Sequence, residues 1–167
     1  GIKSVVKGGT TNDENAAALA LGGMTKGISP LDLASAYSTF PNRGVHKNAS
    51  SYTKILDRNG NVLIKKRPKK TRVIDEGVSY IMTDILRTTV TRGLGINAAI
   101  ASQPVAGKTG TTSDNYDMWF AGFTPQYSAA LWFGNDVNIE LTGTSDNAAA
   151  CWGRIMGQVC AGTSYQT

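Results

Sequence analysis

The chain has 167 residues, of which 41 % are hydrophobic and 17 % are charged, proportions that suit one soluble globular domain, or a piece of one, with a sizeable core. Its net charge is +5, and the main basic cluster, residues 65–70, contains no aromatic or glycine residue, which favours a solvated loop or hairpin end over a nucleic-acid interface. No segment approaches the roughly 18 apolar residues of a membrane span and no signal peptide is recognisable, so we expect any membrane anchor to lie in an N-terminal part outside this sequence.

The first 50 residues are predicted to form a helical segment. Residues 12–21 have the composition of a short helix that ends at a Gly-Gly pair. A second helix is predicted to begin at Ser29, an N-cap residue followed by Pro30 in the first turn, and to stop at Pro41.

Residues 51–72 are predicted to form a β-hairpin. Alternating apolar residues run from Tyr52 to Lys66 around the turn sequence Asp-Arg-Asn-Gly-Asn at 57–61. The net positive charge of the chain is also compatible with attraction to anionic wall polymers or lipid head groups.

The clearest helix of the sequence is predicted over residues 75–93. Asp75 is its N-cap residue and Gly93 ends it. Apolar residues recur at helical spacing, so we expect one face of this helix to be buried in the core. The members of that face are Val78, Ile81, Met82, Ile85 and Leu86.

Three closely spaced strands and a final helix follow. Only short turns separate the strands, which predicts an antiparallel meander within residues 104–135. Ser145 or Asp146 is expected to cap a C-terminal helix over residues 145–162. Grouped strands with flanking helices predict an α+β fold with an antiparallel sheet. The predicted strands are 104–112, 116–123 and 127–134.

The residue inventory argues against a metal centre built from histidine and cysteine. His46 is the single histidine of the chain. Cys151 and Cys160 fall on nearly opposite faces of the predicted last helix, about 13 Å apart, which is too far for a disulfide. We therefore predict no metal and no cofactor.

The most informative motif is the run Ala-Gly-Lys-Thr-Gly-Thr-Thr at 106–112. Lys108 supplies a fixed positive charge, and Gly110 lets a ligand approach the backbone. Thr109 and Thr111 add hydroxyl donors on a strand that they favour intrinsically. This combination suits an edge strand that receives an anionic substrate.

A nucleotide-binding P-loop is the alternative interpretation of Gly-Lys-Thr. Its first glycine belongs at position 102, which is Ser102. A P-loop lysine also opens a helix, whereas the sequence after Lys108 leads into a turn and another strand. Both observations argue against a phosphate-binding loop.

A match to a known family extends well beyond this motif. Residues 107–125, Gly-Lys-Thr-Gly-Thr-Thr-Ser-Asp-Asn-Tyr-Asp-Met-Trp-Phe-Ala-Gly-Phe-Thr-Pro, resemble the transpeptidase domain of class A (bifunctional) penicillin-binding proteins. The resemblance implies part of the β-lactamase/transpeptidase-like fold, with residues 1–167 as the C-terminal portion of the transpeptidase domain. Further matching segments, in the same order along the chain, are 19–23, 27–40, 55–63 and 132–135.

The resemblance also implies roles for the K-T-G residues. Lys108 would lie near the second-motif serine and the substrate carboxylate. Thr109 and Thr111 would hydrogen-bond that carboxylate, and the backbone N–H of Thr111 would be one of two oxyanion donors. Gly110 would keep the strand open for the acyl group.

The family's mechanism needs a serine nucleophile in S-x-x-K and a second serine in S-x-N, both upstream of K-T-G. Two strings spell S-x-x-K, but Ser4 precedes a Gly-Gly break and Ser51 lies in a predicted strand, so neither opens a helix. The two S-x-N strings, at Ser113 and Ser145, follow K-T-G and suit a turn and a helix cap. We therefore expect the catalytic serine to lie upstream of this chain, and the chain alone to be inactive.

Together these inferences predict part of a serine D,D-transpeptidase that cross-links peptidoglycan on the outer face of the bacterial cytoplasmic membrane. The resemblance implies peptidoglycan stem peptides and β-lactams as its ligands, with the missing N-terminal part of the same protein as a partner and no nucleic acid. The alternative is a non-catalytic wall-peptide-binding module of the penicillin-recognising fold.

Overall fold

A three-stranded antiparallel sheet with helices on both faces organises the chain. The structure is a computed structural model that describes residues 2–166. The helices are α1 (Ala16–Ala20), α2 (Pro30–Tyr37), α3 (Glu76–Thr91) and α4 (Ser145–Val159), with a short 3-10 helix at Ile96–Ala98. The strands are β1 (Val45–Lys47), β2 (Lys54–Leu56), β3 (Val62–Lys65), β4 (Lys70–Arg72), β5 (Ala106–Thr111), β6 (Met118–Phe123) and β7 (Ser128–Phe133).

The central sheet has the strand order β5-β6-β7, as an antiparallel meander requires. Strand β5 pairs with β6 from Ala106↔Phe123 to Thr111↔Met118, and β6 pairs with β7 without a register shift. The predicted α+β fold with an antiparallel sheet is therefore confirmed. Among the described residues, strand β5 pairs with β6 alone, so it forms an edge of this sheet.

Aromatic side chains fill the core on both faces of the sheet. On the back face, Trp152 of α4 packs edge-on against Phe120 with ring centroids 5.1 Å apart, and its indole N–H donates to the carbonyl of Ala129 at 3.0 Å. On the front face, Phe123 stacks on Phe40 beside the end of α2, at 6.0 Å. Helix α4 thus covers the back of the sheet and α2 lies on the front, whereas α3 lies against strand β5 and contributes Leu86 to the front cluster and Val90 to the back cluster.

The helix N-termini follow the sequence signals at two of three predicted caps. Ser29 accepts a hydrogen bond from the backbone N–H of Asp32 at 3.1 Å, and Asp75 accepts one from Gly77 at 2.7 Å. The predicted cap of α4 is wrong by one residue. Thr144 is the N-cap, because it takes the extended backbone conformation that a cap requires, and Ser145 is already helical.

The predicted core face of α3 is also partly wrong. Val78, Ile81 and Ile85 are 49 %, 58 % and 53 % exposed, although Leu86 of the same predicted face is buried. The helix contacts the sheet through Leu86 and Val90. Tertiary contacts, and not the apolar periodicity alone, decide which face of the helix turns toward the sheet. An apolar stripe, defined here as Val78, Ile81 and Ile85, therefore faces away from the core of this chain.

The predicted hairpin is the outer part of a longer two-stranded ribbon. Strand β2 pairs with β3, as expected, while β1 pairs with β4, so residues 1–50 also contain a strand that the sequence does not predict. Backbone hydrogen bonds from Lys66 to Thr53 and from Asn48 to Lys69 lie between the two ladders. We call residues 45–72 the arm. Its outer part, from β2 to β3, is exposed and contacts no other helix or strand of the described chain.

His46 anchors the base of the arm and makes stability depend on pH. Its ring Nε2 lies 3.1 Å from Ser35 Oγ on α2, and only 7 % of the residue is exposed. Burial lowers the pKa of His46 from its ordinary value of 6.5, since it disfavours the imidazolium. The unfolded chain then binds the proton first, so the free energy of unfolding should rise with pH between the folded-state pKa and 6.5.

We expect this rise to be at most about 1.4 kcal/mol per pH unit, the limit for one proton. Chemical denaturation at a series of pH values measures it. His46→Gln has no titrating ring and should lose the slope in this window, whereas Asp84→Asn on the exposed side of α3 should retain it. An unchanged slope in His46→Gln would assign the pH dependence to another group.

Candidate functional site

All four residues of the predicted substrate wall lie together on the edge strand β5. Lys108 and Thr111 have exposed side chains, Gly110 is half-buried, and Thr109 is 8 % exposed. Lys108 lies in a strand and does not open a helix, so the local structure is not that of a P-loop. Side chains alternate along a strand, which places Lys108 and position 110 on the front face of the sheet with Ala106.

Hydrogen bonds show which main-chain groups of β5 point to the open edge. The N–H of Thr112 donates to the carbonyl of Asp117 at 3.2 Å, on the side of β6. The carbonyl of Gly107 instead accepts a hydrogen bond from Thr89 Oγ1 on α3, outside the sheet. Because these groups alternate between the two sides of an antiparallel strand, the N–H and C=O groups of Gly107, Thr109 and Thr111 point to the open edge.

Helix α3 covers only the beginning of this edge. Its Thr89 hydroxyl reaches Gly107, and the strand continues beyond it to Thr111. The ammonium of Lys108 turns toward the same edge, where it donates to the carbonyl of Thr109 at 3.1 Å. Cationic and N–H donors thus converge on an uncovered stretch of strand, which suits an anionic or carbonyl-bearing ligand.

Among the described residues, Lys108 has no acidic partner. Between residues 2 and 166 the one ion pair joins Arg43 and Glu76, at 3.5 Å, and both of these side chains are exposed. The charge of Lys108 is therefore not neutralised by the described chain. An incoming carboxylate would not have to displace an internal ion pair.

The two glycines of β5 differ in how much room their surroundings leave for a side chain. A Cβ at Gly107 would lie 2.6 Å from Phe120 Cζ and 2.7 Å from the carbonyl oxygen of Ala121, so the sheet leaves no room for one. A Cβ at Gly110 would meet only Trp119, whose Cβ lies 3.3 Å away. Internal packing thus requires glycine at 107 far more than at 110.

The turn after β5 is held by residues whose role the sequence reasoning missed. The backbone N–H of Asp117 donates to Thr112 Oγ1 at 2.9 Å, and its carboxylate accepts a hydrogen bond from Trp132 Nε1 at 2.7 Å. Trp132 pairs with Trp119 at 6.1 Å between ring centroids. These contacts fix the end of β5 at Thr111. Asp117 lies within the segment 107–125 that matches the family, and this match was the sequence feature that could have pointed to its role.

None of the serine strings that imitate catalytic motifs has the local structure that a catalytic motif requires. Ser4 is in irregular backbone, and its Oγ is buried with no hydrogen-bond partner among the described residues. Ser51 is exposed and precedes β2, so its predicted place in a strand is wrong. Neither serine begins a helix. Ser113 lies in the turn after β5, and Ser145 is the first residue of α4.

Comparison with protein families accounts for almost the whole chain. Residues 3–157 match the model of the penicillin binding protein transpeptidase domain. The chain belongs to this family. The K-T-G segment and the flanking matching segments predicted membership of the penicillin-binding protein transpeptidases. The family match confirms that resemblance.

Curated relatives are longer penicillin-binding proteins. Penicillin-binding protein 1A of Clostridium botulinum is 40 % identical over 152 residues, which cover 90 % of this chain and 18 % of the relative. Penicillin-binding protein 1A of Clostridium perfringens strain 13 is 41 % identical over 159 residues, which cover 94 % of this chain and 22 % of the relative. The chain therefore spans about a fifth of the length of these relatives.

Solved structures show the same fold. PonA1 of Mycobacterium tuberculosis, in complex with penicillin V, superposes with a TM-score of 0.78 and 26 % identity, covering 90 % of this chain and 42 % of that one. Penicillin-binding protein 1A of Haemophilus influenzae gives a TM-score of 0.75 at 22 % identity, covering 91 % of this chain and 29 % of that one. Within residues 2–166, no helix has the length and apolar character needed to cross a membrane.

Proposed function

We propose that this chain forms the substrate and oxyanion wall of a serine D,D-transpeptidase that cross-links peptidoglycan stem peptides and is acylated by penicillin. The observation that carries the proposal is the open half of β5, where the outward N–H of Thr111 and Lys108, which has no acidic partner among the described residues, lie along the same uncovered edge. PonA1, a structural neighbour, was solved with penicillin V, which supports β-lactams as ligands of the same fold.

Each wall residue has a defined role in the proposed reaction, and Thr111 has two. Lys108 attracts the carboxylate of the stem peptide or the β-lactam, and the hydroxyls of Thr109 and Thr111 hydrogen-bond it. The N–H of Thr111 stabilises the negative oxygen that forms when the serine hydroxyl attacks the scissile carbonyl. The second oxyanion donor is the N–H of that serine. Gly110 leaves space on the front face for the acyl group.

The serine itself comes from the part of the transpeptidase domain upstream of this chain. Support comes from the two S-x-x-K strings, neither of which lies at the start of a helix, where a dipole would assist the nucleophile. The apolar stripe of α3 supports it as well, because three half-exposed aliphatic residues on one helix face indicate a core completed by other residues. The assembled domain works outside the cytoplasmic membrane.

Penicillin labelling tests this proposal. The 167-residue chain is incubated with a fluorescent penicillin and run on a denaturing gel, alone and after co-refolding with the upstream part of its domain. We expect no labelled band from the chain alone, and a labelled upstream band only when both are present. A chain carrying Lys108→Met is the matched control and should not support labelling, since the neutral side chain keeps the volume and loses the charge.

A covalent adduct on this chain would contradict the proposal, and Ser4→Ala and Ser51→Ala would locate it. The alternative function, a non-catalytic module that binds wall peptides, is distinguished by the same sample. Calorimetry with a peptide ending in D-Ala-D-Ala should show no binding to the isolated chain if the wall needs the serine half. Saturable binding without any labelling after co-refolding would favour the module.

A further inference from the structure

Positive charge is concentrated in the arm. Residues 45–72 contain nine of the 17 lysine and arginine residues of the chain and one of its 12 acidic residues, Asp57. The arm therefore carries a net charge of +8, whereas the remaining eight basic and eleven acidic residues leave the rest of the chain at −3. The overall value of +5 hides this separation. The arm is the cationic part of an otherwise slightly acidic molecule.

Like charges lie directly opposite each other in both ladders of the arm. Lys47 pairs with Lys70 in the β1–β4 ladder, and Lys54 pairs with Lys65 in the β2–β3 ladder. Directly opposed like charges destabilise a pair of antiparallel strands, and an exposed two-stranded ribbon has little other support. The sequence therefore places these cations where folding alone disfavours them.

The described chain supplies no anion to neutralise these cations. The carboxylate of Asp57, the only acid in the arm, accepts hydrogen bonds from the backbone of Asn59 and Asn61, each at 2.8 Å, and so belongs to its own turn. The one ion pair within residues 2–166 lies outside the arm and involves Glu76. Residues 65–70 are all exposed to solvent. The arm is thus open to an external anion along its length.

We propose that the arm is a binding site for a linear polyanion with phosphodiester charges, of the kind carried by anionic polymers of the cell wall. The Lys47–Lys70 and Lys54–Lys65 pairs lie in two separate ladders with residues 48–53 between them, so the arm presents cations at successive points along its length and not at a single point. A chain of phosphates neutralises successive lysine pairs and releases their counterions. Assignment to a wall polymer rests on the proposed function, whereas polyanion binding rests on the arm alone.

Two other polyanionic ligands, a lipid bilayer and single-stranded nucleic acid, fit the arm less well. Insertion of the hairpin tip into a lipid bilayer would bury the Asp57 carboxylate and the polar turn at 57–61, which is costly. Single-stranded nucleic acid is bound by stacking its bases on aromatic rings. The one aromatic residue in the exposed part of the arm is Tyr52, and Lys66 Nζ already lies 4.8 Å from its ring centroid.

The test compares two triple variants of the 167-residue chain that lose equal charge. The arm variant carries Lys65→Gln, Arg67→Gln and Lys69→Gln, and the body variant carries Lys3→Gln, Lys7→Gln and Lys26→Gln, all at exposed positions. Binding of fluorescein-labelled poly(glycerol phosphate) is followed by anisotropy between 20 mM and 200 mM salt. Circular dichroism and thermal melting verify that both variants are folded.

We expect the arm variant to bind at least about tenfold more weakly at low salt, and the slope of log affinity against log salt to fall by about 2, since three phosphate contacts are lost. The body variant should bind within about twofold of the unmodified chain. An equal loss in both variants would overturn the proposal, because net charge rather than the arm would then explain binding. Tighter binding of phosphatidylglycerol vesicles or single-stranded DNA would overturn the assignment to a phosphodiester wall polymer.

Penicillin labelling of the co-refolded domain separates this proposal from the proposed function. The arm variant should support labelling at the rate of the unmodified chain, because its three positions lie in β3 and the segment after it, outside the K-T-G strand. Polymer binding without labelling would support the proposal for the arm and contradict the transpeptidase proposal. Labelling without polymer binding would do the reverse.

Discussion

Thr111→Pro is expected to slow acylation of the complete domain by penicillin about 10²–10³-fold, the usual effect of losing one oxyanion donor. Proline has no N–H, so the substitution removes the donor proposed for the oxyanion. The sheet should survive, because the N–H of Thr111 points to the open edge of β5 and not to β6. Proline is tolerated at edge positions of this kind, where no ladder hydrogen bond is lost.

Two control variants separate the backbone donor from other effects. Thr111→Ala keeps the N–H and removes only the hydroxyl, so its loss of acylation should be smaller. Gly110→Pro removes an N–H on the side of β6, where Gly110 pairs with Trp119, and should therefore unfold the sheet edge. Rates of labelling with fluorescent penicillin and thermal melting, measured together, distinguish the three. Unchanged acylation in folded Thr111→Pro would remove Thr111 from the oxyanion site.

Local signals in the sequence were sufficient for the elements that support this site. Ser29 and Asp75 cap helices because short polar side chains accept hydrogen bonds from the free N–H groups of the first turn. The meander followed from strands separated by short turns, and the K-T-G residues were placed on a strand for the same reason. In each case the deciding contacts lie within a few residues, so the sequence pattern contains them.

Contacts between distant segments were the ones that the sequence could not supply. The apolar stripe of α3 was predicted to face the core, yet Ser79 is buried and donates to the carbonyl of Phe40, 39 residues away. The pairing of β1 with β4 joins segments more than 20 residues apart, and no local pattern marks it. Thr89, which covers the start of the β5 edge, was missed because its partner is a main-chain carbonyl 18 residues away.

Gly107→Ala should lower the free energy of unfolding by about 3 kcal/mol, the upper end of the range for overpacking. The added methyl would lie 2.7 Å from the main-chain oxygen of Ala121 and 2.6 Å from the ring of Phe120. A main-chain atom of the neighbouring strand moves only if the ladder opens. Urea denaturation of the 167-residue chain measures the loss, and an unchanged midpoint would mean that β5 and β6 separate at Gly107 without cost.

Gly110→Ala is the matched substitution three residues along the same strand. Alanine is favoured over glycine in a strand by roughly 0.5–1 kcal/mol, which offsets the 3.3 Å contact with Trp119 Cβ, so stability should change little. Acylation of the complete domain should nevertheless slow, because the methyl lies on the front face with Lys108, where the acyl group enters. Equal losses of stability in both variants would show that packing, not ligand access, requires glycine at 110.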